Sequence, residues 1–232
     1  MSGLELRSES GQQLNKLVLF GESKGCQFIG DLFLLLKVLK MKLALKAYLE
    51  GVCTIKPDAM EELIGCFRPF KLPKNEHFAR EGAFCNQVGF LYKGIIRAYF
   101  VNEGGKEYNK QFFMAPSIIG AYSSILTKQA NKIAQQALTD CELLVASYAD
   151  IESLYQKHHS LEHLGRKIAE FYFLEKEQKE LEMGLLDADK RYEILQDRFP
   201  GLESTIPQYH IASYLGISAT QLSRIRRKKS EG

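Results

Sequence analysis

The stretch that decides the fold is Gln208-Tyr-His-Ile-Ala-Ser-Tyr-Leu-Gly-Ile-Ser-Ala-Thr-Gln-Leu-Ser-Arg-Ile-Arg-Arg227. Counted from Gln208, it spaces its residues as a helix-turn-helix. Ile211, Leu215, Leu222 and Ile225 fall on the faces that pack between two crossing helices. Ala212 sits where the helices touch and only a small side chain fits. Gly216 ends the first helix at a position that requires positive φ, Ile217 plugs the turn, and Ser218 is an N-cap for the second helix. The second helix keeps its apolar residues on one side and turns Ser218, Thr220, Gln221, Ser223, Arg224, Arg227 and Lys228 outward. Such a face can lie in the major groove of double-stranded DNA. The rival reading is a plain helical hairpin with a solvated basic end, and seven fitting positions favour the first.

Charge supports this reading through its distribution, not its total. The 232-residue chain carries only +3. From Lys190 onward, eight Lys/Arg stand against four Asp/Glu, so this last part carries +4 and the rest of the chain is near neutral. A local basic patch is what phosphate contact requires.

Upstream, a helical period covers Leu161, Leu164, Ile168, Phe171, Gln178, Leu181 and Leu185, spaced by three, four and seven. Charged pairs such as Glu175 and Lys179 flank the stripe. We expect one long helix from about residue 150 to 187. Its narrow stripe predicts a homodimer seam through Leu161, Leu164, Ile168 and Phe171. Arg191–Phe199 reads as a further helix stopped by Pro200-Gly201.

Between Lys71 and Ser147 the period shortens to that of strands punctuated by glycine. Residues 94–101 and 107–114 read as a hairpin across Asn102–Lys106. Ile118–Leu126 reads as a short helix, and Ala137–Tyr148 as one strand. Strands this short and evenly spaced suggest a small barrel or roll. Met41–Phe67 reads as helical, with Pro57-Asp58 opening a second helix.

Five cysteines, Cys26, Cys53, Cys66, Cys85 and Cys141, are scattered and odd in number. They form no disulfide framework and no zinc motif. No metal site, cofactor or catalytic constellation is expected: there is no nucleophile elbow, phosphate loop or His-x-His pair. Phe28–Leu39 is strongly apolar but too short to span a membrane, so neither membrane nor secretion is expected and a cytoplasmic protein is. Residues 1–40 read as an extension of no assigned role, with Met41 a candidate natural start.

A glycine-punctuated roll, a long helix and a C-terminal helix-turn-helix form an α+β chain. In this order it resembles the cyclic-AMP receptor / fumarate–nitrate regulator (Crp/Fnr) family of transcription factors. Glu81-Gly82, Leu91–Arg97, Ala137–Ser147 and Ile211–Arg227 carry the resemblance. It implies an N-terminal cyclic-nucleotide-binding-like jelly roll over 41–149, a dimerisation helix over 150–188 and a DNA-binding domain over 189–232. It implies as partners a near-palindromic operator, a second copy of the chain, RNA polymerase and a small-molecule effector that shifts the DNA-binding domains. The chain departs from the family where a cyclic phosphate is held. Ala121 stands where an acid grips the ribose, and Asn131 where an arginine grips the phosphate, with Lys132 beside it. Cyclic AMP is therefore not the expected effector. Arg97, Gln111 and Tyr122 are the candidate contacts for another ligand. The five histidines, His77, His158, His159, His163 and His210, read as surface or core residues and not as haem ligands. The family's β-wing has no counterpart after the second helix, so its backbone contacts are expected to be lost or taken over by Arg226–Lys229. The alternative function is a ligand-binding or adaptor protein without DNA-binding activity.

Overall fold

The computed structural model describes residues 32–231, so the expectations for residues 1–31, Cys26 among them, lie outside the described residues. The chain divides into two compact units, residues 1–43 and 44–232. In the first, residues 32–43 are helical. In the second, helix α1 covers residues 44–52, and α2 (Pro57–Cys66) begins on its proline. Proline suits that first-turn position because no helical partner for an N–H exists there.

Eight strands follow: β1 (Arg68–Leu72), β2 (His77–Ala79), β3 (Gln87–Lys93), β4 (Ile95–Val101), β5 (Glu107–Met114), β6 (Ser117–Gly120), β7 (Ala134–Ala137) and β8 (Cys141–Ser147). They build two antiparallel four-stranded sheets, ordered β1-β8-β3-β6 and β2-β7-β4-β5. Leu72, Leu91 and Leu143 from one sheet meet Ile96 and Ala137 from the other in a shared core. The expected hairpin is β4–β5, paired from Ile95 with Met114 to Val101 with Glu107. Gly94, between β3 and β4, has φ +106°, and a Cβ there would lie 2.5 Å from the Cys141 sulfur. Only glycine fits that crossing.

Two sequence expectations need correction in the roll. Ile118–Gly120 is a strand, because Ile118 and Ile119 pair with Phe90 and Gly89. Only Tyr122–Thr127 is helical (α3). Residues 137–148 do not form one strand: β7 ends at Ala137 and β8 starts at Cys141. The Leu138 N–H turns to the Ile95 carbonyl.

The long helix is also broken. Helix α4 (Tyr148–Tyr155) and α5 (His159–Leu185) are separated at His158, whose backbone is extended. Its ring lies 3.1 Å from the Glu62 carboxylate of α2. Beyond α5 come α6 (Ala188–Arg198), α7 (Leu202–Thr205), α8 (Gln208–Leu215) and α9 (Ala219–Glu231).

Candidate nucleic-acid interface

Helices α8 and α9 form the expected helix-turn-helix. Ile211, Ala212, Leu215, Leu222 and Ile225 are all buried in one cluster with Tyr192, Leu195, Phe199 and Leu202. Gly216 closes α8 with φ 70° and ψ 28°. Its missing Cβ is needed twice, since a Cβ would also meet the Met183 methyl at 2.7 Å. The Ser218 hydroxyl accepts the Gln221 N–H at 3.1 Å, capping α9.

Each predicted contact residue, Ser218, Thr220, Gln221, Ser223, Arg224, Arg227 and Lys228, is exposed. Thr220, Arg224 and Arg227 follow one another at helical spacing, opposite the buried Leu222 and Ile225. The basic end is partly turned inward. Lys229 donates to Gln196 at 2.6 Å, Arg226 lies 3.5 Å from Glu203, and Lys228 lies 3.9 Å from Asp189. These exposed pairs are weak and are easily exchanged for phosphates.

The other face of the helix-turn-helix is docked on the roll, which the sequence reading missed. Ser213 of α8 accepts the Asn109 N–H at 3.0 Å and donates to the Glu107 carbonyl at 3.0 Å. The Asn109 side-chain amide donates to the His210 carbonyl at 2.9 Å. Arg97 lies beneath, 4% exposed. Its guanidinium donates to Glu107 at 2.5 Å, Asn109 at 3.2 Å and Gln136 at 2.7 Å, and stacks on Tyr99 at 3.9 Å. His210 Nδ1 faces both the Arg97 guanidinium and the Asn109 amide at 3.3 Å. Two donors leave it one role, that of acceptor, which requires a neutral ring. Burial first, and then the Arg97 charge, lowers its pKa to about 4, with Glu107 opposing. A cleft of about 240 Å³ opens beside these groups, bordered by Lys106, Tyr209 and the first residues of α9.

This geometry carries a pH prediction. On undocking, the His210 pKa returns toward its ordinary value of 6.5. Docking is therefore fully favoured above about pH 6.5 and weakens as pH falls toward 4, by at most about 3 kcal/mol. The expected loss of stability over that window should flatten in His210→Asn, whose side-chain oxygen can accept in place of Nδ1. An unchanged acid profile in the variant would remove His210 as its source.

A second polar joint ties α5 to the helix-turn-helix. Glu182 of α5, 3% exposed, receives Arg198 of α6 at 2.5 and 3.3 Å, and Arg198 reaches the Tyr214 hydroxyl at 3.2 Å. Lys179 lies 3.4 Å over the Tyr214 ring and donates to the Tyr214 carbonyl at 3.1 Å; burial lowers its pKa to about 8.

The predicted ligand contacts are not brought together. Arg97 is engaged under α8, Tyr122 packs against Tyr148 at 6.0 Å, and Gln111 lies on β5 opposite Ala98. Ala121 is buried ahead of α3. Asn131 is spent on backbone, donating to the carbonyls of Arg80 and Ile133 and accepting the Ile133 N–H, while Lys132 is exposed. Of the predicted seam, Leu161 (1% exposed) and Leu164 (5%) are buried within the protomer, Ile168 is half-buried and Phe171 is 55% exposed. Among the described residues no cluster of three or more His, Cys, Asp or Glu could hold a metal, and no helix is long and apolar enough to cross a membrane.

Residues 69–158 match the cyclic nucleotide-binding domain family. No curated protein sequence matches the chain. Among solved structures it is similar to a Crp/Fnr-family regulator from Eubacterium rectale, with 14% identity, 77% of this chain and 85% of that one covered, and a TM-score of 0.62. It is similar to FixK2 from Bradyrhizobium japonicum, with 17% identity over 70% and 83% and a TM-score of 0.60. It is also similar to the c-di-GMP responsive regulator CLP from Xanthomonas campestris, with 16% identity over 76% and 92% and a TM-score of 0.59. At such identities the likeness establishes the fold: a cyclic-nucleotide-binding roll, a long helix and a C-terminal helical region in the Crp/Fnr arrangement.

Proposed function

We propose that the chain is a sequence-specific DNA-binding transcription regulator that acts as a homodimer. The observation that carries this reading is α9. It is capped by Ser218, anchored by buried Leu222 and Ile225, and presents Thr220, Gln221, Ser223, Arg224 and Arg227 outward. Selection of bound sequences from random duplexes, followed by gel shift at defined salt, tests it; an adaptor that does not bind DNA would select nothing.

Within this reading Arg224 contacts a base, most simply guanine O6 and N7. Arg224→Ala should cost about 1–3 kcal/mol and relax preference at one base pair, whereas neutralising Lys228 should weaken all sequences alike and lower the salt slope by about one. Equal affinity and equal preference in Arg224→Ala would remove that assignment.

The dimer seam is proposed along the outer side of α5. Phe171, Leu174, Gln178, Leu181 and Leu185 repeat at three and four residues, and their apolar members are 50–77% exposed in the protomer. Leu174→Glu places an unpaired carboxylate in that seam and should yield a folded monomer by sedimentation, with weakened binding to a two-half-site operator. A dimer that persists would exclude α5.

We propose further that an effector in or beside the roll alters the docking of α8, and that this effector is not cyclic AMP. Ala121 supplies no acceptor for a ribose hydroxyl, and Asn131 is committed to backbone. RNA polymerase remains a proposed partner on the resemblance alone.

A further inference from the structure

Residues 32–43 present an apolar surface that DNA binding does not use. Leu32, Leu36, Leu39 and Leu43 recur at four, three and four residues, and each is about half exposed. Phe33, Leu34 and Leu35 are exposed as well, so the turn formed by residues 32–36 is apolar on every side. The same twelve residues hold Lys37, Lys40 and Lys42 and no acid.

Two occupants could cover such a stripe. Pairing with a second copy would cover one side of the helix and offer Lys40 and Lys42 no acid from the same stretch of the partner. A protein partner would also cover one side of the helix and leave Phe33 or Leu34 in water. A lipid interface surrounds the apolar turn and supplies anionic headgroups to the lysines. Among the described residues no helix is long and apolar enough to cross a membrane, but a basic helix with an apolar stripe of this kind lies in the headgroup layer.

We propose that residues 32–43 form a binding element for anionic membrane surfaces. The experiment is flotation of the full-length protein with vesicles of phosphatidylcholine alone and of phosphatidylcholine mixed with phosphatidylglycerol. The protein should float only with the mixed vesicles. Each of Lys40→Gln and Lys42→Gln should weaken binding about five-fold. Leu39→Glu should abolish it, with helix content unchanged because the side chain is exposed. The basic end of α9 is a built-in control, since Leu39→Glu leaves its charge intact. Binding that survives Leu39→Glu with the helix intact would assign the lipid contact to α9 and overturn the proposal. So would no flotation of the wild type, or a Leu39-dependent oligomer that ignores vesicles, which would identify a second copy as the occupant. If Leu39→Glu unfolds, a double Lys40→Gln/Lys42→Gln variant that still binds like wild type is equally decisive against it.

Discussion

Phe112→Ala should destabilise the protein by about 3–5 kcal/mol, the range for removing a buried aromatic ring. Phe112 of β5 is 1% exposed and reaches out of the roll into the helix-turn-helix core. It stands edge-on to Phe199 at 5.8 Å and tilted on Tyr214 at 5.1 Å, and those two rings meet each other at 5.8 Å. Removing one ring of a mutually packed trio leaves a cavity that its two neighbours, fixed on different helices, cannot close. Urea unfolding followed by fluorescence and by far-ultraviolet dichroism should show two separating transitions, because the roll and the helices would lose their shared core. A single transition shifted by less than about 1 kcal/mol would show that the contact is dispensable.

Arg198→Ala should cost a similar amount by another route. The Glu182 carboxylate, 3% exposed, would lose both guanidinium contacts and remain a buried charge, with Lys179 as a nearby cation. Breaking one side of a buried pair costs about 3–5 kcal/mol, more than the intact pair contributes. Arg198→Lys should recover only part, since one ammonium cannot span both carboxylate oxygens and the Tyr214 hydroxyl. The double change Arg198→Met/Glu182→Leu should be far milder than Arg198→Ala. If equilibrium unfolding ranks the double variant as the more damaged, the buried charge is not the cause.

Local signals were legible in the sequence and distant ones were not. Gly216, Ser218, Leu222 and Ile225 lie within ten residues and constrain one another through helical spacing, so the helix-turn-helix could be placed residue by residue. The β4–β5 hairpin was legible for the same reason, its pairing being set by the loop between its strands. At the break between α4 and α5, His158 contacts Glu62, 96 residues away, and no periodicity in α4 or α5 records it. Periodicity also could not separate the buried turns of a helix from its exposed ones. Leu161 and Leu164 continue the same stripe as Phe171 and Leu181, but the N-terminal part of α5 lies on the protomer while later turns expose their apolar residues. The joint of Arg97 and Asn109 with His210 spans more than 100 residues. Its only trace was a basic residue in a strand, and composition cannot say that a histidine will lie above it.

Strand β8 has a consequence for how the chain is made. It sits between β1 and β3, pairing Cys141–Val145 with Arg68–Leu72 on one side and Glu142–Ser147 with Gln87–Lys93 on the other. Both partners are synthesised about fifty residues earlier or more, and neither pairs with the other. A nascent chain ending before residue 141 can form the β4–β5 hairpin and the β3–β6 pair, but β1 has no neighbour to join. Closing the sheet is thus a late, high-contact-order event, of the kind that is slow and exposes strand edges while it waits. The helices from α6 to α9 emerge after it, and α8 then meets β5 already made, with Phe112 ready to enter the helical core.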